Sequence, residues 1–213
     1  MKESAVPSLP KNMPPAFELV KVAEADFPTR FGHFRIYGFE GRTAGVVEES
    51  VVLKMGEIEG TPPLVRVHSQ CLTGDVFHSL RCDCGEQLEL ALRTIAQERR
   101  GLLIYEHQEG RGIGLMNKLR AYQLQDAGAD TVEANEQLGF EADLRGYTLP
   151  GAILRYFGLR AVRLMSNNPE KIEALERAGV TVTERVPSIV DAQDSTQDYL
   201  RTKKEKMGHL LDV

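Results

Sequence analysis

The hydrophobic period of this chain changes near residue 86. Before it, "FGHFRIYGF" (31–39), "VVLKMG" (51–56) and "PLVRVHS" (63–69) are β-branched or aromatic runs, partly alternating and separated by Gly, Glu and Pro. That pattern predicts short strands. After it, "EQLELALRTIAQERRG" sets Leu88, Ala91, Leu92, Ile95 and Ala96 on one helical face, with Gly101 as the stop. "LLIYEH" (102–107) then predicts a buried strand, followed by the loop "QEGRGIG". "LMNKLRAYQLQDAG" predicts a helix with Leu115, Leu119 and Tyr122 on one face and Gly128 closing it. The alternation repeats through a helix in "TLPGAILRYFG", a strand over 161–166, a helix in "NNPEKIEALERAG" and a strand in "VTVTERV". In the second of these helices Asn168 is the N-cap, Pro169 takes the first helical position and Gly179 is the stop. "YLRTKKEKMGHLL" predicts a last amphipathic helix. A strand-rich N-terminal half followed by alternating helices and strands predicts an α/β fold of mixed α+β layers, with ligand sites at strand-to-helix loops.

At 213 residues the chain suits one domain, expected over 16–213, after a flexible leader at 1–15. The opening "MKESAVPSLPKNMPPAF" carries four of the ten prolines and lacks the apolar middle of a secretory signal. No apolar run approaches the roughly 18 residues of a membrane span, so no membrane partner is expected. A net charge of −5 argues against duplex nucleic acid, whose binding rests on neutralised phosphates. It leaves room for one small polyanion held by a local basic cluster.

All three cysteines fall within "CLTGDVFHSLRCDCG" (71–85). Cys82 and Cys84 are separated only by Asp83, and the total is odd, which argues against a disulfide framework and for reduced thiols in a cytoplasmic protein. Three soft donors with a ten-residue return between the first two suit zinc. A closed structural site needs a fourth ligand, and there is no fourth cysteine; His68 or His78 could serve. If neither does, the fourth position is open to water, whose pKa an open zinc site lowers to about 7, and the chemistry implied is hydrolysis. Ordinary buried cysteines are the plain alternative, and a C-x-C pair beside Gly85 makes poor core packing.

Positive charge gathers in loops. "HQEGRGIGLMNK" (107–118) lies between a strand and a helix, with Gly110, Gly112 and Gly114 permitting close backbone approach and Arg111 and Lys118 supplying charge, as in a phosphate cradle. Lys171, in "SNNPEK", falls in the first turn of a helix, where the macrodipole disfavours a cation unless an anion binds there. Alternation puts Arg66 and His68 on one face of their strand and Val65 and Val67 on the other, so the polar face can line a pocket. Asp143 and Arg145 stand two apart in "EADLRGY" and read as an ion pair.

Together "RVHSQCLTGDVFHSLRCDCG", "HQEGRGIGLMNKLRAYQLQDAGADTVEAN", "LGFEADLR" and "SNNPEK" resemble one family, GTP cyclohydrolase II, a zinc enzyme that opens the guanine ring of GTP at the start of riboflavin synthesis. The likeness runs over nearly everything after the leader. It implies that Cys71, Cys82 and Cys84 bind one catalytic Zn2+ per subunit, and that Mg2+ accompanies the triphosphate. It implies GTP contacts from Arg66, Val67, His68, Ser69 and Gln70, and from Gln87, Glu109, Gly110, Arg111, Thr131, Ser166 and Lys171. Asp143 would be the proton acceptor, Arg145 the nucleophile at the α-phosphorus and Tyr122 a further catalytic residue, in a homodimer. Two positions depart from the family pattern: Gln70 stands where glutamate is usual and Ser166 where threonine is commoner. Ser166 keeps the hydroxyl, whereas Gln70 removes a carboxylate next to a metal ligand but keeps an amide able to bond a nucleobase. An arginine is effectively always protonated, so Arg145 needs Asp143 as a base to act as a nucleophile, and stabilising charge on the α-phosphate is the other role open to it. A nucleotide-binding regulatory module with a purely structural zinc is the alternative of another class, and a zinc nucleobase deaminase is disfavoured because "CDCG" lacks the C-x-x-C spacing.

Overall fold

The computed structural model describes residues 17–141 and 143–190, together with Lys204, Gly208 and Leu210. The expected leader and the expected C-terminal helix over 199–211 lie outside the described residues, apart from those three positions.

The N-terminal part is an antiparallel meander of β1 (Glu18–Thr29), β2 (Gly32–Thr43) and β3 (Val46–Met55). Ala44 and Gly45 join β2 to β3 with φ of 48° and 86°, the paired left-handed conformation that matches the twist of a two-residue hairpin. β1 was not anticipated from the sequence, and β2 and β3 extend beyond the predicted runs. The reason is that β1 is an edge strand with most of its residues exposed, so it carries charges in place of an apolar alternation, and such charges also guard the open edge against pairing with another chain.

β4 (Leu64–Ser69), β5 (Gly101–Glu106), β6 (Ala161–Met165) and β7 (Thr181–Val186) are mutually parallel, and the seven strands form one sheet in the order β1-β2-β3-β5-β4-β6-β7. This is the mixed α/β layering that the change of period predicts. Between β4 and β5 come α1 (Leu72–Asp75) and α2 (Cys84–Glu98). α2 buries Ala91, Leu92 and Ile95 with Phe34, Met55, Leu64 and Leu103 on one face of the sheet. α5 (Thr148–Tyr156) and α6 (Pro169–Arg177) cover the other face, where Leu149, Ile153, Leu154 and Leu175 meet Phe39, Val52, Val65, Val67 and Ile104. Burying each such aliphatic side chain favours the fold by roughly 1.5–3 kcal/mol.

The connection from β4 runs outward to β5, and the connection from β5 returns across β4 to β6. Right-handed crossovers in opposite directions put their helices on opposite faces, which opens a crevice at the carboxyl ends of these strands. α3 (Leu115–Asp126) and α4 (Thr131–Gln137) stand in the long return connection. α4 is absent from the sequence reading, although its signal was present: Asp130 accepts from the backbone of Val132 and Glu133 while Glu133 reaches back to the nitrogen of Asp130, a complete capping box.

Candidate active site

The crevice holds the three cysteines. Cys71 follows the end of β4, and Cys84 is the first residue of α2, so the parallel crossover itself brings the sequence cluster together. All three Sγ atoms lie within 4.8 Å of one another, and Cys71 and Cys82 are 3.6 Å apart. Two glycines permit this. A β-carbon on Gly74 would stand 2.9 Å from Cys82 Sγ and 3.2 Å from Cys71 Sγ, and one on Gly85 would stand 2.4 Å from the Gly74 carbonyl oxygen.

Carboxylates fasten the first turn of α1. Asp75 Oδ2 accepts from Cys71 N at 3.0 Å, and Glu109 Oε2 accepts from Leu72 N at 2.7 Å. These contacts satisfy helix-end donors that no side chain at the N-cap reaches. Asp75 also accepts the Tyr105 hydroxyl at 2.7 Å and pairs with His68 Nε2 at 3.1 Å. His68 is therefore engaged away from the sulfurs, and His78 is exposed in the following loop, with neither joining the thiol group. Among the described residues no histidine or carboxylate closes the three-sulfur cluster as a fourth member.

The thiols interact strongly. Hydrogen bonding from Cys82 and Cys84, aided by Lys118, holds the Cys71 pKa well below the ordinary thiol range, while the same crowding pushes Cys82 up to about 11 and Cys84 well above the ordinary thiol value. Lys118 Nζ donates to Cys71 Sγ at 3.1 Å and to Glu109 Oε1 at 2.8 Å. Burial pulls its pKa down, but Glu109 and Cys71 outweigh that and hold it above the usual lysine value. Lys118 thus stands against the sulfur cluster while it also lines the pocket. The reason is helical geometry: Lys118, Ala121, Tyr122 and Gln125 share the face of α3 that covers the crevice, whereas Leu119, expected to be buried, is exposed.

Arg66 and His68 point to the α2 face of β4, and Val65 and Val67 to the other, as alternation predicts. Arg66 donates to Gln87 Oε1 at 2.6 Å and to the Met165 carbonyl at 3.0 Å. The Val67 side chain is core, so only its carbonyl faces the site, where it accepts from Lys171 Nζ at 2.8 Å. Lys171 is 6% exposed, and burial, with Arg66 and Arg145 close by, pulls its pKa well below the ordinary value. Gly110 and Arg111 are successive left-handed residues of a tight turn, with φ of 62° and 61°. That turn docks the next loop through Leu144 N, which donates to the Arg111 carbonyl at 3.0 Å.

On that loop, Asp143 accepts from Arg145 at the backbone nitrogen (3.0 Å) and Nε (2.8 Å), with a closer contact from Nη2. Burial raises the Asp143 pKa, but the Arg145 bonds prevail and leave it below the usual carboxylate range. Arg145 Nη1 reaches Ser69 Oγ at 3.4 Å. Tyr122 OH shares a hydrogen bond of 3.1 Å with Thr73 Oγ1, under the Arg81 guanidinium.

One pocket collects these groups. The three cysteines, Arg66, His68, Ser69, Gln70, Gln87, Glu109, Gly110, Arg111, Tyr122, Thr131, Arg145, Ser166 and Lys171 all line it. Of the expected residues, Asp143 lies behind Arg145 and the Val67 side chain faces away. Arg81, Gln125, Asn135 and Asn167 join it without having been singled out, as does Asn168, expected only as a helix N-cap. Arg81 adjoins the C-x-C pair, and the two adjacent asparagines flank Ser166, so only their neighbours could have flagged them. The lining carries six cations, Arg66, Arg81, Arg111, Lys118, Arg145 and Lys171, against one carboxylate, Glu109, both of whose oxygens are already hydrogen-bonded. Arg111 Nη1 and Nη2, Arg66 Nε and His68 Nδ1 are buried without a partner. Such a site is built to receive a polyanion.

Sequence comparison agrees with this geometry. The family profile described as GTP cyclohydrolase II matches residues 20–187. The proteins called GTP cyclohydrolase-2 of Escherichia coli DH10B and of Escherichia coli O157:H7 are each 56% identical to this chain over 196 residues, covering 92% of it and 99% of their own length. A solved structure of a two-domain 3,4-dihydroxy-2-butanone 4-phosphate synthase from A. baumannii aligns with a TM-score of 0.39 and 18% identity over 70% of this chain and 34% of its own, too slight a likeness to bear on the fold. On the profile match and on identity sustained over nearly the whole length, the chain belongs to the GTP cyclohydrolase II family.

Proposed function

We propose that the protein hydrolyses GTP with zinc, opening the imidazole ring of guanine and releasing formate and pyrophosphate to leave a diaminopyrimidinone ribosyl phosphate, the first step of riboflavin biosynthesis. One observation carries the proposal: a cluster of three thiols within 4.8 Å opens onto a pocket lined by six cations and a single, already bonded carboxylate.

The residues fit a zinc ion. The donors are soft and number three, the space over them is kept open by Gly74, and no fourth histidine or carboxylate joins them among the described residues. Cys71, Cys82 and Cys84 would hold the metal. When bound it supplies Lewis acidity and activation of water at neutral pH.

The chain's own residues do the rest. Lys171, Arg111 and Arg66 offer buried positive charge for the triphosphate, with Mg2+ as its companion, and this charge favours the developing pyrophosphate. Gln70, Gln87, Thr131 and Ser166 present amides and hydroxyls that can orient the nucleoside. Asp143, held low by Arg145, orients that guanidinium, and the pair supports Arg145 as a fixed charge facing the α-phosphate more than as a nucleophile, because its proton is stabilised rather than removed. Tyr122, tied to Thr73 beside Cys71, carries a hydroxyl at the sulfur end of the pocket. The enzyme is proposed to act as a homodimer in the cytoplasm; among the described residues no helix is long and apolar enough to cross a membrane.

Incubating the purified protein with GTP, zinc and magnesium, and assaying formate and ammonia, tests this. Formate that disappears on chelation and returns with zinc is expected. Ammonia would point to deamination, and neither product would leave a nucleotide-binding module with a structural metal.

A further inference from the structure

Among the described residues Lys118 is the only cation in the pocket that touches a sulfur: Nζ stands 3.1 Å from Cys71 Sγ and is held from the other side by Glu109 Oε1 at 2.8 Å. Its side chain is 12% exposed and that of Glu109 is 8% exposed, so little water screens the contact. Glu109 is itself fixed by Leu72 N at 2.7 Å and by Gly110 N at 3.0 Å. The ammonium therefore has one position available, over the sulfur. The Tyr122 ring, 5.7 Å from Nζ, closes the remaining side.

Charge arithmetic says what this position is for. Three thiolates and one divalent cation sum to −1. An anionic centre at the base of a pocket meant for a polyanion works against the ligand, and over-donation from three sulfurs weakens the metal as a Lewis acid. A fixed ammonium against one sulfur brings the sum over metal, sulfurs and ammonium to zero, leaves the remaining negative charge on Glu109 at the far side of the ammonium, and withdraws electron density from that donor.

We infer that Lys118 is a positioning residue of the metal centre, set by Glu109 to balance the charge of the three thiolates and to moderate the donor strength of Cys71. The inference rests on the reading of the cysteine cluster as the metal site. Hydrogen-bond partners one step out from a metal commonly contribute 10- to 100-fold to its affinity, which sets the scale.

The test uses the full-length protein and its Lys118→Gln, Lys118→Met and Lys118→Arg variants. Zinc affinity is measured by competition with a chromophoric chelator, and the cobalt(II)-substituted proteins are examined for their thiolate-to-metal charge-transfer band. Lys118→Gln and Lys118→Met are expected to change zinc affinity by about 10- to 100-fold. Their cobalt bands are expected at longer wavelength, because the Cys71 sulfur has lost its hydrogen-bonded cation. Lys118→Arg, which keeps the charge, is expected to stay close to the parent in both measurements. If Lys118→Met fails to fold, Lys118→Gln carries the same comparison, and if both fail, Glu109→Gln, which removes the carboxylate that fixes the ammonium, carries it, with a displaced band expected. Bands that coincide in all folded variants, or an arginine variant displaced as far as the neutral ones, overturn the inference. A parent protein that shows no thiolate-to-cobalt band overturns the metal site itself, a separate failure.

Discussion

The carbonyl oxygen of Gly74 occupies the space that a β-carbon on Gly85 would fill, at a separation of 2.4 Å. Through this contact α1 and the start of α2 approach closely enough for Cys71 to meet Cys82 and Cys84. Gly85 is also in the first turn of α2, where alanine would by propensity favour the helix by about 1 kcal/mol. Gly85→Ala is therefore expected to keep its helix content by circular dichroism while its zinc content, by elemental analysis, falls from about one per chain to a small fraction. Gly74→Ala should do the same by crowding the sulfurs directly. Full zinc occupancy in both variants would show that the cluster does not depend on this crossing.

Arg145 and Asp143 form a fork against a carboxylate, a geometry that lysine cannot copy. Arg145→Lys keeps the charge and loses the fork. Formate release is expected to fall by about a hundredfold without vanishing, the scale of losing one fixed donor to a developing charge. Intact-mass measurement of the parent during turnover should show no guanylyl adduct, and an adduct seen only in the parent would assign Arg145 the covalent role instead.

Lys171 is a buried cation whose one hydrogen bond among the described residues goes to a neutral carbonyl, and it stands near Arg66 and Arg145. Because its folded-state pKa is lowered, the unfolded chain binds more protons in the window between the folded value and about 10.5, and stability rises with pH there. Pyrophosphate needs the protonated form, so its affinity should decline with rising pH well below the range of an ordinary lysine. Lys171→Met should raise the melting temperature of the ligand-free protein and weaken pyrophosphate binding roughly 10- to 100-fold, the scale of a charged hydrogen bond. Calorimetric titration across pH checks both the loss and the sign.

Glu106, at the end of β5, is 1% exposed, and burial pushes its pKa up to about 7 despite the Ser50 hydroxyl that donates to it at 2.8 Å. A carboxyl raised in the fold makes the native state bind more protons than the unfolded chain between about 4.5 and 7, so stability falls as pH rises through that window. Glu106→Gln should match the parent near pH 4.5 and exceed it above pH 7 by about 3–4 kcal/mol, since each pKa unit corresponds to about 1.4 kcal/mol. At roughly 2–4 °C per kcal/mol, thermal melts at the two pH values resolve the difference. Equal melting temperatures above pH 7 would refute it.

Much of the architecture was legible because burial on both faces writes itself into sequence. The runs at 63–69, 102–107 and 161–166 are the parallel core strands β4, β5 and β6, and the near-continuous apolar character of 102–107 survives in the structure as buried β5. β1 was missed because an edge strand needs no apolar face. α3 was recognised as a helix and Tyr122 faces inward as expected, but Leu119 does not: a leucine stripe normally marks the core, whereas here the helix covers a polar site and leaves Leu119 exposed.

The sequence by itself determined the layered α/β plan, the three-sulfur cluster and the split of Arg66 and His68 from Val65 and Val67, because each depends on spacing within one segment and on the fixed periods of strand and helix. Only the tertiary structure decided that Glu109 is spent on Leu72 and Lys118, that Lys118 serves Cys71, that His68 belongs to Asp75, and that Lys171 enters the pocket from the far side of the sheet. Three of these pairings join segments tens of residues apart, and the two shorter ones, His68 with Asp75 and Glu109 with Lys118, run from a strand end or turn to the next helix. Their partners are chosen by how the crossovers fold over the ends of the strands, and no local period records that choice.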